Sequence, residues 1–148
     1  MKRAAAREIA MHISFELAQT DKTVDELLAH RFSEEYYSTL AGEEKVYSQL
    51  PDPDQMDYIS RIARGLAEHA YELDSYIEKY AKGWHFERIS RTALAVMRLA
   101  MYEILYMPDI PDAVAINEAV ELSKKYEEKE AVGFINGILG TFAREEKR

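Results

Sequence analysis

Three cations open the chain: Lys2, Arg3 and Arg7 form the one basic cluster that is not answered by many nearby acids. On a helix, residues four apart share a face, so Arg3 and Arg7 would point the same way. Clustered Lys and Arg are what contacts to nucleic-acid phosphates require. Three charges also make an ordinary solvated helix end, and taken alone they favour that reading over a phosphate site. Phe15, Tyr36, Tyr37 and Phe134 offer flat rings that stack on unpaired bases, and at helical spacing such rings also build cores. Two polar motifs sit inside apolar stretches: Asn117-Glu118 and Asn136-Gly137. A glycine within a helix costs about 1 kcal/mol, which calls for a return. For Asn136 and Gly137 the favoured return is structural, an amide bonded to a neighbouring helix and a backbone brought close to another; direct contact with a ligand is the alternative.

Other chemistries find little support. His12, His30, His69 and His85 stand apart in the sequence with no HExxH-like spacing, so no metal site is expected. The acidic pairs Glu34-Glu35, Glu43-Glu44 and Glu127-Glu128 are adjacent, which splays them by about 100° on a helix and makes them solvated faces rather than proton-sharing dyads. With no cysteine there is no thiol nucleophile, disulfide framework or thiolate metal site, consistent with a reducing, cytoplasmic setting. The glycines are scattered singly, with no P-loop, dinucleotide or serine-hydrolase signature. The expectation is a protein with no catalytic residues and no cofactor.

The charge distribution narrows the partners further. The net charge is −8, and residues 21–80 carry most of it, with six basic against fourteen acidic groups. Such a chain is no general polyanion binder, and any nucleic-acid site must be local. The start of the chain meets Glu8, His12 and Glu16 too soon for a secretory signal. The most apolar stretch, residues 92–107, contains Arg98 and Glu103 and is too short for a bilayer, so no membrane association is expected.

These residues must be carried by helices. Ala5, Ile9, Ile13 and Leu17 recur every four positions and predict a first helix over 4–19 with Arg3, Arg7 and His12 off its apolar face. Thr23-Val-Asp-Glu26 has the capping-box pattern and starts a second helix to about residue 31. A further helix is predicted over 34–49, weakened by Gly42 and ended by Pro51 and Pro53. Ile59, Ile62, Leu66, Ala70, Leu73, Ile77 and Tyr80 then predict one long helix from an Asp54 cap to Gly83. Helices over 91–106, 112–126 and 130–145 complete the chain, the first stopped by Pro108 and Pro111. Inward positions are Ala113, Ile116 and Val120 in the second of these, and Phe134, Ile135, Ile138, Leu139 and Phe142 in the third. The expected architecture is all-α, six to seven helices in two fused small bundles, about 1–82 and 83–148.

The second half of the chain, residues 91–145, resembles the C-terminal half of the NusB antitermination family. The family's pattern appears here as Met97-Arg98, Tyr102-Glu103-Ile104, a connector bounded by Pro108 and Pro111, the Ile116-Asn117-Glu118-Ala119 helix and Phe134-Ile135-Asn136-Gly137. Near the start, Ala6-Arg7-Glu8-Ile9-Ala10 is similar to the family's first helix. The resemblance implies a factor that binds the boxA element of ribosomal RNA leader transcripts together with the ribosomal protein NusE and, through the transcribing complex, helps RNA polymerase read through terminators. By that match Lys2, Arg3 and Arg7 take the place of the family's arginine-rich segment, and Phe134 that of its aromatic near the RNA. Asn117, Glu118, Asn136 and Gly137 belong to the family motif, as structure or as partner interface. Two departures stand out: only Lys2 and Arg3 precede the first motif, and Glu130 adds a negative charge near Phe134. Both reduce the phosphate-binding term and shift weight to the protein partner. A protein-binding adaptor with little RNA affinity is the alternative function. A NusB-like domain also precedes the catalytic domain of a family of RNA cytosine methyltransferases, but this chain has neither a cysteine nor a glycine-rich motif for that chemistry. Monomer and homodimer are both open, because apolar stripes serve core and interface alike.

Overall fold

The computed structural model describes residues 1–147. Among the described residues there are eight α-helices and no strand: α1 (Arg3–Leu17), α2 (Val24–Arg31), α3 (Glu34–Leu40), α4 (Pro53–Glu68), α5 (Ala70–Tyr80), α6 (Arg91–Tyr106), α7 (Asp112–Tyr126) and α8 (Lys129–Glu146). Short 3-10 turns occupy Lys45–Ser48 and Phe86–Arg88. The helices form two compact units, Met1–Ala67 and the part of the chain from Glu68 onward. The division falls at the end of α4, earlier than the expected boundary near residue 82, so α5 belongs with the second unit. No helix among the described residues is long and apolar enough to cross a membrane.

In the first unit, local chemistry sets the helix ends. The capping box forms as the sequence predicts, with the Glu26 amide donating to Thr23 Oγ1 at 3.1 Å and the Thr23 amide to Glu26 Oε1 at 3.0 Å. The start of α4 differs from expectation: Asp52, not Asp54, caps it by accepting from the Gln55 amide at 3.0 Å. Pro53 then takes the first helical position, where its missing N–H costs nothing. The helix predicted over 34–49 stops at Leu40 and resumes as the 3-10 turn. That turn delivers Tyr47 into the core at 3% exposure. α1 packs on α2 and on this turn, and is buried around most of its circumference from Ala6 to Met11, including Arg7 and Glu8. The reading that placed Arg7 off the buried face is therefore corrected.

The expected long helix is two. The chain leaves helical geometry at His69, with φ −110° and ψ 18°. The His69 ring stacks on Tyr106 of α6 at 4.2 Å, and its Nδ1 lies 3.2 Å from Glu72 Oε1, which also accepts from the Tyr106 hydroxyl at 2.6 Å. These contacts stand where a continuous turn would have been. Leu66 and Leu73 are both buried and seven residues apart, so the apolar phase carries through the break and hides it in the sequence. α5 ends before Gly83, whose φ of +81° no other described residue matches in sign, as expected of a helix terminator.

In the second unit α6 is buried on nearly all sides from Ala93 to Ile104, with its start capped by Ser90 Oγ accepting from the Ala93 amide at 3.0 Å. α5, α7 and α8 all pack on it. The buried line of α7 is Ala115, Ala119 and Ser123, with Ile116 and Val120 half-buried beside it and Ala113 exposed. The inward face is thus rotated from the predicted one. Small side chains at its centre let α7 come close to α6 and α8, where larger ones would force the helices apart. In α8, Ile135, Ile138, Leu139 and Phe142 are buried as predicted, while Phe134 stays partly open.

Candidate nucleic-acid interface

The two units each present one surface with the residue types that the sequence reading singled out. On the first unit, Lys2 stands at the N-cap position of α1 and is exposed. Arg3 is partly buried: its Nε donates to Gln55 Oε1 at 2.7 Å and its guanidinium lies 4.2 Å above the Tyr58 ring. Arg7, one turn on, lies 5.7 Å from the same ring and is only 4% exposed. Tyr58, buried to 2%, is thus a shared platform for both guanidiniums, a cation–π arrangement that fixes two flexible side chains. Lys2 is exposed and Arg3 partly so, whereas Arg7 is buried. A cleft of about 390 Å³ adjoins Lys2, and Lys45 stands on its rim with Glu8 and Gln49. Sequence reasoning missed Lys45, because it lies 43 residues from Lys2 in the acidic region and only the 3-10 turn brings it to α1.

The second unit places Phe134 on α8 against Trp84, with ring centroids 4.3 Å apart. Trp84 is 47% exposed, an unusual state for the chain's single tryptophan. Together they wall a cleft of about 320 Å³ whose rim carries Arg88, Glu127, Glu128 and Glu130. The Ser90 hydroxyl donates to Glu127 at one edge of it. Sequence reasoning overlooked Trp84. The available signal was its position in a loop directly after a helix-ending glycine, where a large aromatic has no helical core to enter.

The remaining motif residues are surface groups. Asn117 and Asn136 are exposed and Glu118 is half-buried. Gly137 is exposed, and a Cβ built on it meets nothing within 4 Å. The structural account of Asn136 and Gly137, an amide bonded across helices and a backbone in close approach, is therefore overturned. Gly137 lies three residues from Phe134 and so on the same side of α8, leaving bare backbone beside the half-open ring.

The histidines are not all isolated. Glu8, His12 and Glu44 offer donor atoms within 4.8 Å of one another, against the expectation that no such grouping exists. His12 Nε2 lies 3.4 Å from Glu44 Oε2 and 4.0 Å from Glu8 Oε2. Its Nδ1 is 2.8 Å from the Tyr47 hydroxyl oxygen, and that oxygen accepts from Arg31 Nη1 at 2.6 Å. Arg31 continues the chain of contacts to Glu16 Oε1 at 2.6 Å. Burial pushes the Tyr47 phenol up to about 12, so it keeps its proton at neutral pH. Glu44, expected to be a solvated acid, has one carboxylate oxygen buried without a hydrogen bond.

Comparison with known proteins gives these surfaces a context. The profile of the NusB family matches residues 4–144. A transcription antitermination protein NusB of Clostridium botulinum is 38% identical over 145 residues, covering 95% of this chain and 98% of the relative. Another, of Acetivibrio thermocellus, is 41% identical over 140 residues, covering 95% of this chain and 87% of its own. Among solved structures, T. maritima NusB superposes with a TM-score of 0.79 at 29% identity, covering 98% of this chain and 92% of that one. With the profile matched almost from end to end, and with relatives and a solved fold that agree over the same span, this chain belongs to the NusB family.

Proposed function

We propose that the chain is a transcription antitermination factor that binds boxA-type RNA of ribosomal RNA leader transcripts together with ribosomal protein NusE, promoting read-through by RNA polymerase. It binds and does not turn over a substrate, and it works in the cytoplasm where transcripts are made. The observation that carries the reading is the Trp84–Phe134 pair, two partly exposed rings tilted against each other beside the bare backbone of Gly137. A soluble fold gains nothing from a helix glycine on an open face, which costs about 1 kcal/mol. Close approach of a partner beside an aromatic platform would offset that cost. Unpaired bases are held by such platforms, with stacking contributing about 1–3 kcal/mol per base. Lys2 and Arg3 supply phosphate contacts, and Arg7 supports Arg3 through Tyr58 rather than touching RNA itself. Asn117 and Asn136 present amides to a partner from α7 and α8.

The acidic rim of Glu127, Glu128 and Glu130 favours a second reading, an adaptor that binds protein with little RNA affinity of its own. Fluorescence anisotropy of a labelled boxA-type RNA, with and without NusE, separates the two. Selective binding that NusE tightens supports the RNA reading. A NusE complex that forms with no selective RNA binding, alone or together, leaves the adaptor and discards the RNA role.

A further inference from the structure

We infer that Glu8, His12 and Glu44 form a binding site for a divalent transition-metal cation such as Zn²⁺, tying α1 to the segment ahead of the 3-10 turn. The ligand set is one imidazole and two carboxylates, with nitrogen and oxygen donors that suit zinc and leave a fourth position for water. In a zinc tetrahedron with bonds of about 2.0–2.1 Å, ligand atoms stand about 3.3–3.4 Å apart. The separation of His12 Nε2 from Glu44 Oε2, 3.4 Å, already meets that spacing. Glu8 Oε2, at 4.0 Å from Nε2, needs only a small rotation of a side chain one helical turn from His12.

Two further features point to a cation. The first is the buried Glu44 Oε2, which takes no hydrogen bond. A carboxylate oxygen withdrawn from water without a donor is costly, and a bound cation removes that cost. The second is the support behind the imidazole. The Tyr47 hydroxyl, 2.8 Å from Nδ1 and itself accepting from Arg31, holds the ring so that Nε2 faces the carboxylates; in the tautomer that carries its proton on Nδ1, Nε2 presents a lone pair to a metal. A histidine whose other ring nitrogen is fixed by an oxygen acceptor is the usual arrangement of a metal ligand. A proton on Nε2 would satisfy the carboxylates in another way, and it competes directly with the metal.

The test is calorimetric titration of Zn²⁺ into the full-length chain after treatment with a chelator. The expected result is binding of one equivalent, lost in both His12→Gln and Glu44→Gln and kept in His85→Gln, whose imidazole lies on the exposed surface elsewhere. Thermal melting of the same proteins should show Zn²⁺ raising the Tm of the parent and of His85→Gln, with no rise in the other two. Glu44 is the more exposed of the ligands, so Glu44→Gln decides the matter if His12→Gln does not fold. Zinc-edge anomalous scattering from crystals should place the ion between the three side chains. Binding that survives both ligand substitutions, or no binding by the folded parent, overturns the inference and leaves the cluster as an imidazole held between two acids.

Discussion

The basic edge of the first unit and the aromatic cleft of the second treat their functional residues in opposite ways. At the edge, cations are held: Arg3 is bonded to Gln55 and laid on Tyr58, and Arg7 is buried against the same ring. At the cleft, aromatics are left open, with Trp84 half exposed and rimmed by acids. The difference has a physical sense. An arginine carries about 2 kcal/mol of rotamer entropy that binding would otherwise have to offset, so fixing it beforehand favours phosphate contact. A tryptophan or phenylalanine has only two side-chain torsions and loses little when a base stacks on it. Under the proposed RNA reading, rigid charges and exposed rings each reduce the ordering cost of binding.

The largest effect is expected at the platform of the basic edge. Tyr58→Ala removes a fully buried ring and the surface on which both guanidiniums rest. A loss of about 3–5 kcal/mol, the range for truncating a buried aromatic, should appear in urea unfolding. A loss below about 1 kcal/mol would mean that the ring is not what organises the edge. Thr23→Ala, in the same unit but away from either surface, should lower stability by about 1 kcal/mol through the lost cap while RNA binding stays unchanged. If it weakened RNA binding as much as Lys2 or Arg3 substitutions do, general destabilisation would explain both. The same cap gives a pH test. The Thr23 backbone amide and then its hydroxyl hold the Glu26 carboxyl below the ordinary carboxylate range. Its contribution is therefore whole above that range and is lost as pH falls through the lowered value. The stability gap between the parent and Glu26→Gln should narrow over that acid interval in melts recorded against pH.

At the cleft, the smallest substitution makes the sharpest contrast. Gly137→Ala meets no neighbouring atom, so it should raise stability by about 0.5–1 kcal/mol in the same unfolding assay. If α8 uses that bare backbone to receive a partner, the variant should bind RNA or NusE less well despite being more stable. Unchanged or tighter binding would remove the glycine from the interface.

Much of this was legible in the residues because the signals are local. Thr23 with Glu26 ahead of α2 and Pro108 after α6 each act within a few positions, and the structure places these helix ends where the sequence does. Ile135, Ile138, Leu139 and Phe142 likewise define a face by spacing alone. What stayed hidden depends on residues far apart. At the break, His69 stacks on Tyr106, 37 residues further on, and the seven-residue step from Leu66 to Leu73 keeps the pattern unbroken across it. The burial of Arg7 needs Tyr58, and the grouping at His12 needs Glu44 and Tyr47, all from other elements. Trp84 and Phe134 meet across 50 positions, so neither ring announces the pair. The favoured structural role for Asn136 and Gly137 failed for a related reason: a polar motif in an apolar helix carries no signal of which way it faces, and both residues lie on the exposed face of α8 with open space beside Gly137.

The measurement that bears most directly on the division of labour is the salt dependence of boxA-type RNA binding for the parent, for Trp84→Ala with Phe134→Ala, and for Lys2→Ala with Arg3→Ala. Each lost phosphate contact should flatten the slope of log affinity against log salt by about 1, so the charge variant should show a shallower slope. The aromatic variant should lose about 10- to 100-fold in affinity at every salt concentration with the slope unchanged, following the stacking contribution of one base or more. An aromatic variant that binds as tightly as the parent, or a charge variant whose slope does not change, would contradict the account.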